Sequence, residues 1–315
     1  MSDADAPRLA VDVGGGLRLR NPVIAASGTF GYGVEFAGVT DLGALGAIVV
    51  KGLSLEPTRG HPAPRIVETA AGMVNAIGLQ NIGVRAFIAE KLPRLRAYDT
   101  PIVANCWGHA PEEFAEVAAR LSEAEGVAAV ELNISCPNKR EWGRIIASDL
   151  ELSRDVVRAV RARCRLPLWV KLSPNVTDVA SFARVAEDEG ADAVSLINTL
   201  VALVVDLDRR APALTNGTGG LSGPAVKPVA LRMVHEVARA VRIPVIGMGG
   251  IASGDDALEF LLVGARAVQI GTASFNDPAA TARIATELAA GLRRRGYADV
   301  RDWIGTLGPP PAGNT

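Results

Sequence analysis

The run Asn133-Ile134-Ser135-Cys136-Pro137-Asn138 puts a thiol just past the end of a short apolar stretch, Ala129-Val130-Glu131-Leu132, with amide side chains on either side. Pro137 stops regular structure one residue after the cysteine, which places Cys136 on a loop. A loop thiol acts as nucleophile or base when its surroundings lower its pKa, whereas a buried one is inert packing.

Other strand ends carry residues that fit the same site. Reading along the chain they are Ser27-Gly28-Thr29, Lys51-Gly52, Asn105, Asn133, Lys171, Asn198-Thr199, Gly249-Gly250 and Gly271-Thr272. Almost no carboxylates occur among them, which argues against paired-carboxylate glycosidase chemistry and against a hard-metal site. Asparagine offers both donors and an acceptor on one planar group, so Asn105, Asn133 and Asn198 suit the uncharged edges of a flat heterocycle. Lys51 and Lys171 beside them suit an anionic ligand. The glycines at 247, 249, 250 and 271 leave backbone N–H groups open where a helix is expected to begin, the arrangement that cradles phosphate at this position of a barrel. A thiol, a phosphate cradle and heterocycle-reading amides together fit a phosphorylated redox cofactor, FMN, better than a phosphorylated substrate.

Eight short apolar runs position these residues: 23–26, 47–50, 102–104, 129–132, 168–170, 193–197, 245–247 and 267–270. Helical patterns with start signals lie between most of them, at Pro111-Glu112-Glu113, Ser148-Asp149, Thr177-Asp178, Ser253-Gly254-Asp255 and Asp277-Pro278. Gly126, Gly190 and Gly264 each precede a strand and suit a left-handed C-cap. Alternating strand and helix predicts a parallel sheet, and eight strands a closed (β/α)8 TIM barrel of the α/β class. A doubly wound open sheet is the alternative, disfavoured because no GxGxxG follows the first strand. Before the barrel, Leu9 to Val13 and Leu17 to Leu19 flank Gly14-Gly15-Gly16 and read as an N-terminal β-hairpin able to plug the barrel bottom. Residues 1–308 are expected to form one FMN-binding domain and 309–315, with Pro309-Pro310-Pro311, a disordered tail.

Composition narrows the function classes. The 315 residues are 49% hydrophobic with net charge −1, enough for a large core and without the positive field that nucleic acid demands. The acidic, polar start lacks the features of a signal peptide, and no uncharged apolar run reaches the roughly 18 residues of a membrane span. A cytoplasmic enzyme is expected. Three cysteines without CxxC spacing and three histidines write neither a zinc site nor an iron–sulfur cluster. Cys164 is expected to pack, and Cys106, directly after Asn105, to share the face of Cys136.

Five segments give the chain a family resemblance. They are Asn21 to Gly31, Asn75-Ala76-Ile77-Gly78-Leu79-Gln80-Asn81, Asn133 to Asn138, Val170 to Val176, and Gly219-Gly220-Leu221-Ser222-Gly223-Pro224-Ala225. On these motifs the chain resembles the class 1 dihydroorotate dehydrogenases, in detail the NAD-linked class 1B catalytic subunit. The resemblance implies FMN held by Ser27, Lys51, Gly52, Asn105, Asn133, Lys171, Ile197, Gly223, Gly249, Gly250, Gly271 and Thr272. It implies dihydroorotate against Lys51, Asn75, Ala76, Ile77, Gly78, Leu79, Asn133, Asn198 and Thr199. Cys136 is then the base that takes the C5 proton while hydride leaves C6 for flavin N5. It also implies a partner subunit with FAD and a 2Fe–2S cluster that passes electrons to NAD, in a heterotetramer around a dimer of this chain. Rival readings are a class 1A fumarate-using homodimer, a dihydropyrimidine dehydrogenase-like enzyme of uracil-type rings, and a barrel that binds a phosphorylated ligand without redox chemistry. The chain departs from the family in Lys139 to Ser148, where Trp142 and two arginines replace a small-residue loop.

Overall fold

The structure, a computed structural model, describes residues 6–135 and 146–309. Cys136 and the divergent loop as far as Ile145 lie outside the described residues, as do the last six residues of the tail.

Eight parallel strands close into a barrel: β1 (Val23–Ala25), β2 (Ala47–Val49), β3 (Ile102–Cys106), β4 (Val127–Asn133), β5 (Leu168–Lys171), β6 (Ala193–Leu196), β7 (Val245–Met248) and β8 (Ala267–Ile270). All eight expected runs are strands. They follow one another around the barrel in chain order, with β8 pairing back onto β1 through Val268 against Val23. Apart from the half-buried Ala128, the strands are buried over their whole length, as a parallel sheet covered on both faces requires.

Among the described residues, six helices of nine or more residues wrap the barrel: α1 (Pro111–Glu123), α2 (Leu150–Arg163), α3 (Val179–Asp188), α4 (Lys227–Ala238), α5 (Gly254–Leu262) and α6 (Ala280–Arg294). Five of them follow the start signals that the sequence marks, and α4 begins without one. Asp149 and Asp178 accept from backbone N–H groups three residues on, and Ser253 and Asp256 form a reciprocal capping box. In α1, Phe114, Val117, Ala118 and Leu121 recur at helical spacing and are buried against the sheet. Gly126, Gly190 and Gly264 take positive φ on the way into β4, β6 and β8, the conformation their composition implies.

The N-terminal hairpin pairs Val11–Asp12 with Arg18–Leu19. Its turn rests on the bottom of the barrel: a Cβ on Gly14 would lie 2.0 Å from the Asp192 carbonyl oxygen, just before β6, and one on Gly15 would lie 2.7 Å from Pro167, just before β5. At the opposite mouth stands a feature the sequence patterns do not announce, an antiparallel four-stranded sheet of Leu200–Ala202, Gly219–Ser222, Gly72–Asn75 and Ile66–Thr69, in that order. It has its own small core of Val74, Ala76 and Leu214. Among the described residues no helix is long and apolar enough to cross a membrane.

Candidate active site

A cavity of about 970 Å³ opens at the C-terminal mouth of the barrel, between the strand tips and the four-stranded sheet. Every candidate cofactor residue lines it: Ser27, Lys51, Gly52, Asn105, Asn133, Lys171, Ile197, Gly223, Gly249, Gly250, Gly271 and Thr272. Among the substrate candidates Asn75, Ile77, Gly78, Leu79, Asn198 and Thr199 line it as well. Ala76 does not. Its side chain is buried in the small core under the sheet, and its carbonyl faces His61 Nδ1 at 3.0 Å. Residues alternate across a strand, so Asn75 and Ile77 can reach the cavity only if Ala76 turns away.

Register puts the polar tips side by side. Asn133 of β4 is opposite Lys171 of β5, and Lys171 is opposite Ser195 of β6, so all three face the barrel interior. One layer lower, Glu131 is fully buried and collects donors from three further strands. Asn105 Nδ2 donates to it at 2.7 Å, Ser195 Oγ at 2.9 Å and Gln269 Nε2 at 2.6 Å, and Lys171 Nζ stands 3.7 Å away. The scarcity of carboxylates holds at the strand tips and fails beneath them. Glu131, Ser195 and Gln269 escape sequence reading because an isolated polar residue in an apolar strand is ordinarily assigned to a solvent face. The signal that could have found Glu131 is its spacing of two from Asn133.

The amide tips are themselves tied together. Asn198 Nδ2 donates to Ser135 Oγ at 2.7 Å, and Ser135 Oγ donates to Asn133 Oδ1 at 2.8 Å. Asn175 holds the next stretch, donating to the Thr199 carbonyl at 3.0 Å and accepting from the Val201 N–H at 2.9 Å. Lys51 stands across the cavity, where burial, and after it the positive charge of Arg65, lowers its pKa from the ordinary lysine value. An anion bound there would relieve both effects. Arg65 is a further cation on the wall, one that sequence reading passes over; it donates to Gln80 Oε1 and to the His61 carbonyl.

The glycine end has a different chemistry. Gly249 and Gly250 follow β7 with φ of 125° and 78°, and a Cβ on Gly250 would lie 2.8 Å from the Gly223 carbonyl oxygen and 2.9 Å from the Lys227 nitrogen. The turn is therefore built around bare backbone. The expected contribution of helix N-termini is smaller than the sequence implies: at the start of α5 the Gly254 N–H is taken by Glu287 and the Asp256 N–H by Ser253 Oγ, while the Asp256 carboxylate takes the N–H groups of Ala252 and Ser253, and β8 is followed by a helix of only four residues, Ala273–Asn276. Lys227 is likewise taken, by Asp256 at 2.6 Å and Glu259 at 2.9 Å. An anion here would be met by glycine N–H groups and by the hydroxyls of Ser222 and Thr272, which lie 2.9 Å apart.

Cys106 corrects an expectation. Strand alternation turns it away from Asn105 and the cavity, it is fully buried, and burial pushes its thiol well above the ordinary value. It is packing. Cys164 is buried too, as expected.

Closed parallel strands with the chemistry gathered at their C-terminal tips make this a (β/α)8 barrel enzyme. The chain matches the dihydroorotate dehydrogenase family over residues 8–292 and belongs to it, which makes it an oxidoreductase. It is 56% identical over 301 residues to a protein of Trichlorobacter lovleyi named dihydroorotate dehydrogenase B (NAD(+)), catalytic subunit, with 96% of this chain and 99% of that one covered. The protein of the same name in Geobacter sulfurreducens is 57% identical, with 96% and 98% covered. The fold is shared with the solved structure of DHODH from Eimeria tenella, at TM-score 0.80 and 24% identity over 97% of this chain and 90% of that one.

Proposed function

We propose that the chain is the FMN-bearing catalytic subunit of an NAD-linked dihydroorotate dehydrogenase, oxidising (S)-dihydroorotate to orotate for pyrimidine synthesis in the cytoplasm. The observation that carries the reading is the gathering of Lys51, Asn75, Asn133 and Asn198 around one cavity in a chain more than half identical to enzymes of that name. The substrate carboxylate needs a cation and Lys51 supplies it; the amide ring needs paired donors and acceptors and the asparagines supply them.

FMN fits the remaining surface. Asn105 Oδ1 and Gln269 Oε1 are buried acceptors without a hydrogen-bond partner among the described residues, and the flavin's pyrimidine ring carries an N–H to offer. The bare-backbone turn at Gly249-Gly250 with Gly271 and Thr272 suits the phosphate. FMN held by these residues would supply the acceptor for the hydride that leaves C6 of the substrate. The work left to the chain is to hold the ring flat, to anchor the carboxylate and to remove the C5 proton, and that last task falls to Cys136. The relatives' designation as catalytic subunits supports a separate electron-transfer chain, with FAD and a 2Fe–2S cluster, that completes the path to NAD in a heterotetramer.

Titrating the purified yellow protein with orotate and with uracil tests the reading. Orotate should perturb the flavin band at concentrations where uracil, lacking the carboxylate, does not. A colourless protein, or equal response to the two rings, would refute it. NAD reduction by dihydroorotate should require co-purification with the electron-transfer chain.

A further inference from the structure

We infer that Glu131 is a positioning residue that orients the cofactor floor: as a buried acceptor it makes Asn105 and Gln269 turn their NH₂ groups down and present their carbonyl oxygens to the ligand. The inference rests on the FMN reading and goes beyond it, since the residue touches no candidate ligand position itself.

An ionised carboxylate only accepts hydrogen bonds. Glu131 has no exposed surface, and its two oxygens are met by Asn105 Nδ2, Ser195 Oγ and Gln269 Nε2, with Lys171 Nζ as counter-charge. Each amide can offer either end to a neighbour, and only its NH₂ end can bond a carboxylate. With those ends facing Glu131, Asn105 Oδ1 and Gln269 Oε1 are left over. Both are buried and unmet among the described residues, and both side chains line the cavity. Unmet buried acceptors in a native fold call for a partner, and two on one floor select a ligand edge with an N–H donor. The same carboxylate offsets the positive charge of Lys171 beneath the ring position. Glu131 therefore controls both the hydrogen-bond pattern and the net charge under the cofactor.

The test uses Glu131→Gln in the purified chain, measuring FMN affinity by fluorescence titration of the apoprotein and the flavin midpoint potential by dye equilibration. A glutamine carries one NH₂ end, so one of the two floor amides must reverse and show a donor where an acceptor stood. FMN should bind about tenfold more weakly, and the potential should rise because a negative charge has left the space below a ring that becomes anionic on reduction. Equal affinity with an unmoved potential overturns the inference. Weaker binding with an unmoved potential marks a merely structural role and overturns it too. Should the variant fail to fold, Gln269→Met keeps the carboxylate and removes one upward carbonyl; it should weaken FMN severalfold, and wild-type affinity in that variant sinks the proposal. A wild-type chain that binds no FMN would remove the functional reading itself, a result distinct from any of these.

Discussion

Asn198 Nδ2 donates to Ser135 Oγ at 2.7 Å, so the tip of β6 is fastened to the residue that immediately precedes Cys136. Ser135 passes the bond on to Asn133 Oδ1 at 2.8 Å, which makes one hydroxyl the link between two amides that line the cavity. Ser135→Ala removes both bonds. At about 1 kcal/mol for each hydrogen bond, kcat/KM for dihydroorotate should fall roughly tenfold or more while flavin content stays constant. Steady-state assays with an artificial acceptor check this, and a change below about twofold would show that the amides are held by other means.

As the proposed anchor of the substrate carboxylate, Lys51 is expected to set an alkaline limit on anion binding. Its pKa is lowered by burial first and by Arg65 second, so it loses its proton at a pH below that of an exposed lysine. Orotate affinity should hold at neutral pH and decline as pH rises through that value. Arg65→Gln removes a positive neighbour, favours the protonated form and should move the decline to higher pH. Orotate titrations across a pH series decide the matter; an unshifted limb in the variant would mean that another group governs anion binding.

Gly250→Ala tests the proposed phosphate end. The added Cβ would meet the backbone of Gly223 and Lys227 at under 3.0 Å, at a φ of 78° that L side chains rarely adopt. The strain, about 1–3 kcal/mol, falls on the turn itself. FMN affinity should drop by about tenfold or more, read by fluorescence titration of the apoprotein, and unchanged affinity would place the phosphate elsewhere.

Much of the barrel is legible before any coordinates. Runs such as Ala193 to Ile197 have the length and composition of buried parallel strands, and acidic or hydroxyl caps such as Asp178 mark where the next helix begins. The sheet over the mouth is not legible, because Gly72-Met73-Val74-Asn75 and Gly219-Gly220-Leu221-Ser222 lack β-branched runs and read as loops. The strand-tip residues were readable because polar groups following apolar runs stand out. Glu131 and Gln269 were not, since only closure of the barrel reveals that the interior just below the tips is polar. Within the motif 75–79 the sequence does not separate the residues that line the cavity from Ala76, whose side chain strand alternation sends into the small core.

Away from the site, Asp299 fastens the two ends of the described chain. Its carboxylate is held at about pKa 2, chiefly by the Arg301 guanidinium, and it pairs with Arg8 at 3.1 Å. A depressed carboxylate pKa stabilises the fold above the unfolded value near 3.8, and that stability is lost as pH falls toward 2. Asp299→Asn should lower the melting temperature at neutral pH by a few degrees and flatten the acid side of the melting profile. Identical profiles for the two proteins would remove Asp299 from the account of acid stability.

The most direct test of the proposed chemistry is anaerobic mixing of the purified yellow protein with dihydroorotate, followed at the flavin band, for wild type and for Cys136→Ser. Rapid bleaching in the wild type is expected, slowed by several orders of magnitude at neutral pH in the variant and partly restored as pH rises, because a serine hydroxyl ionises far less readily than a thiol and leaves little of the basic anion at neutral pH. A flavin that dihydroorotate does not bleach would contradict the assignment of the substrate, and bleaching at the same rate in both proteins would contradict Cys136 as the base.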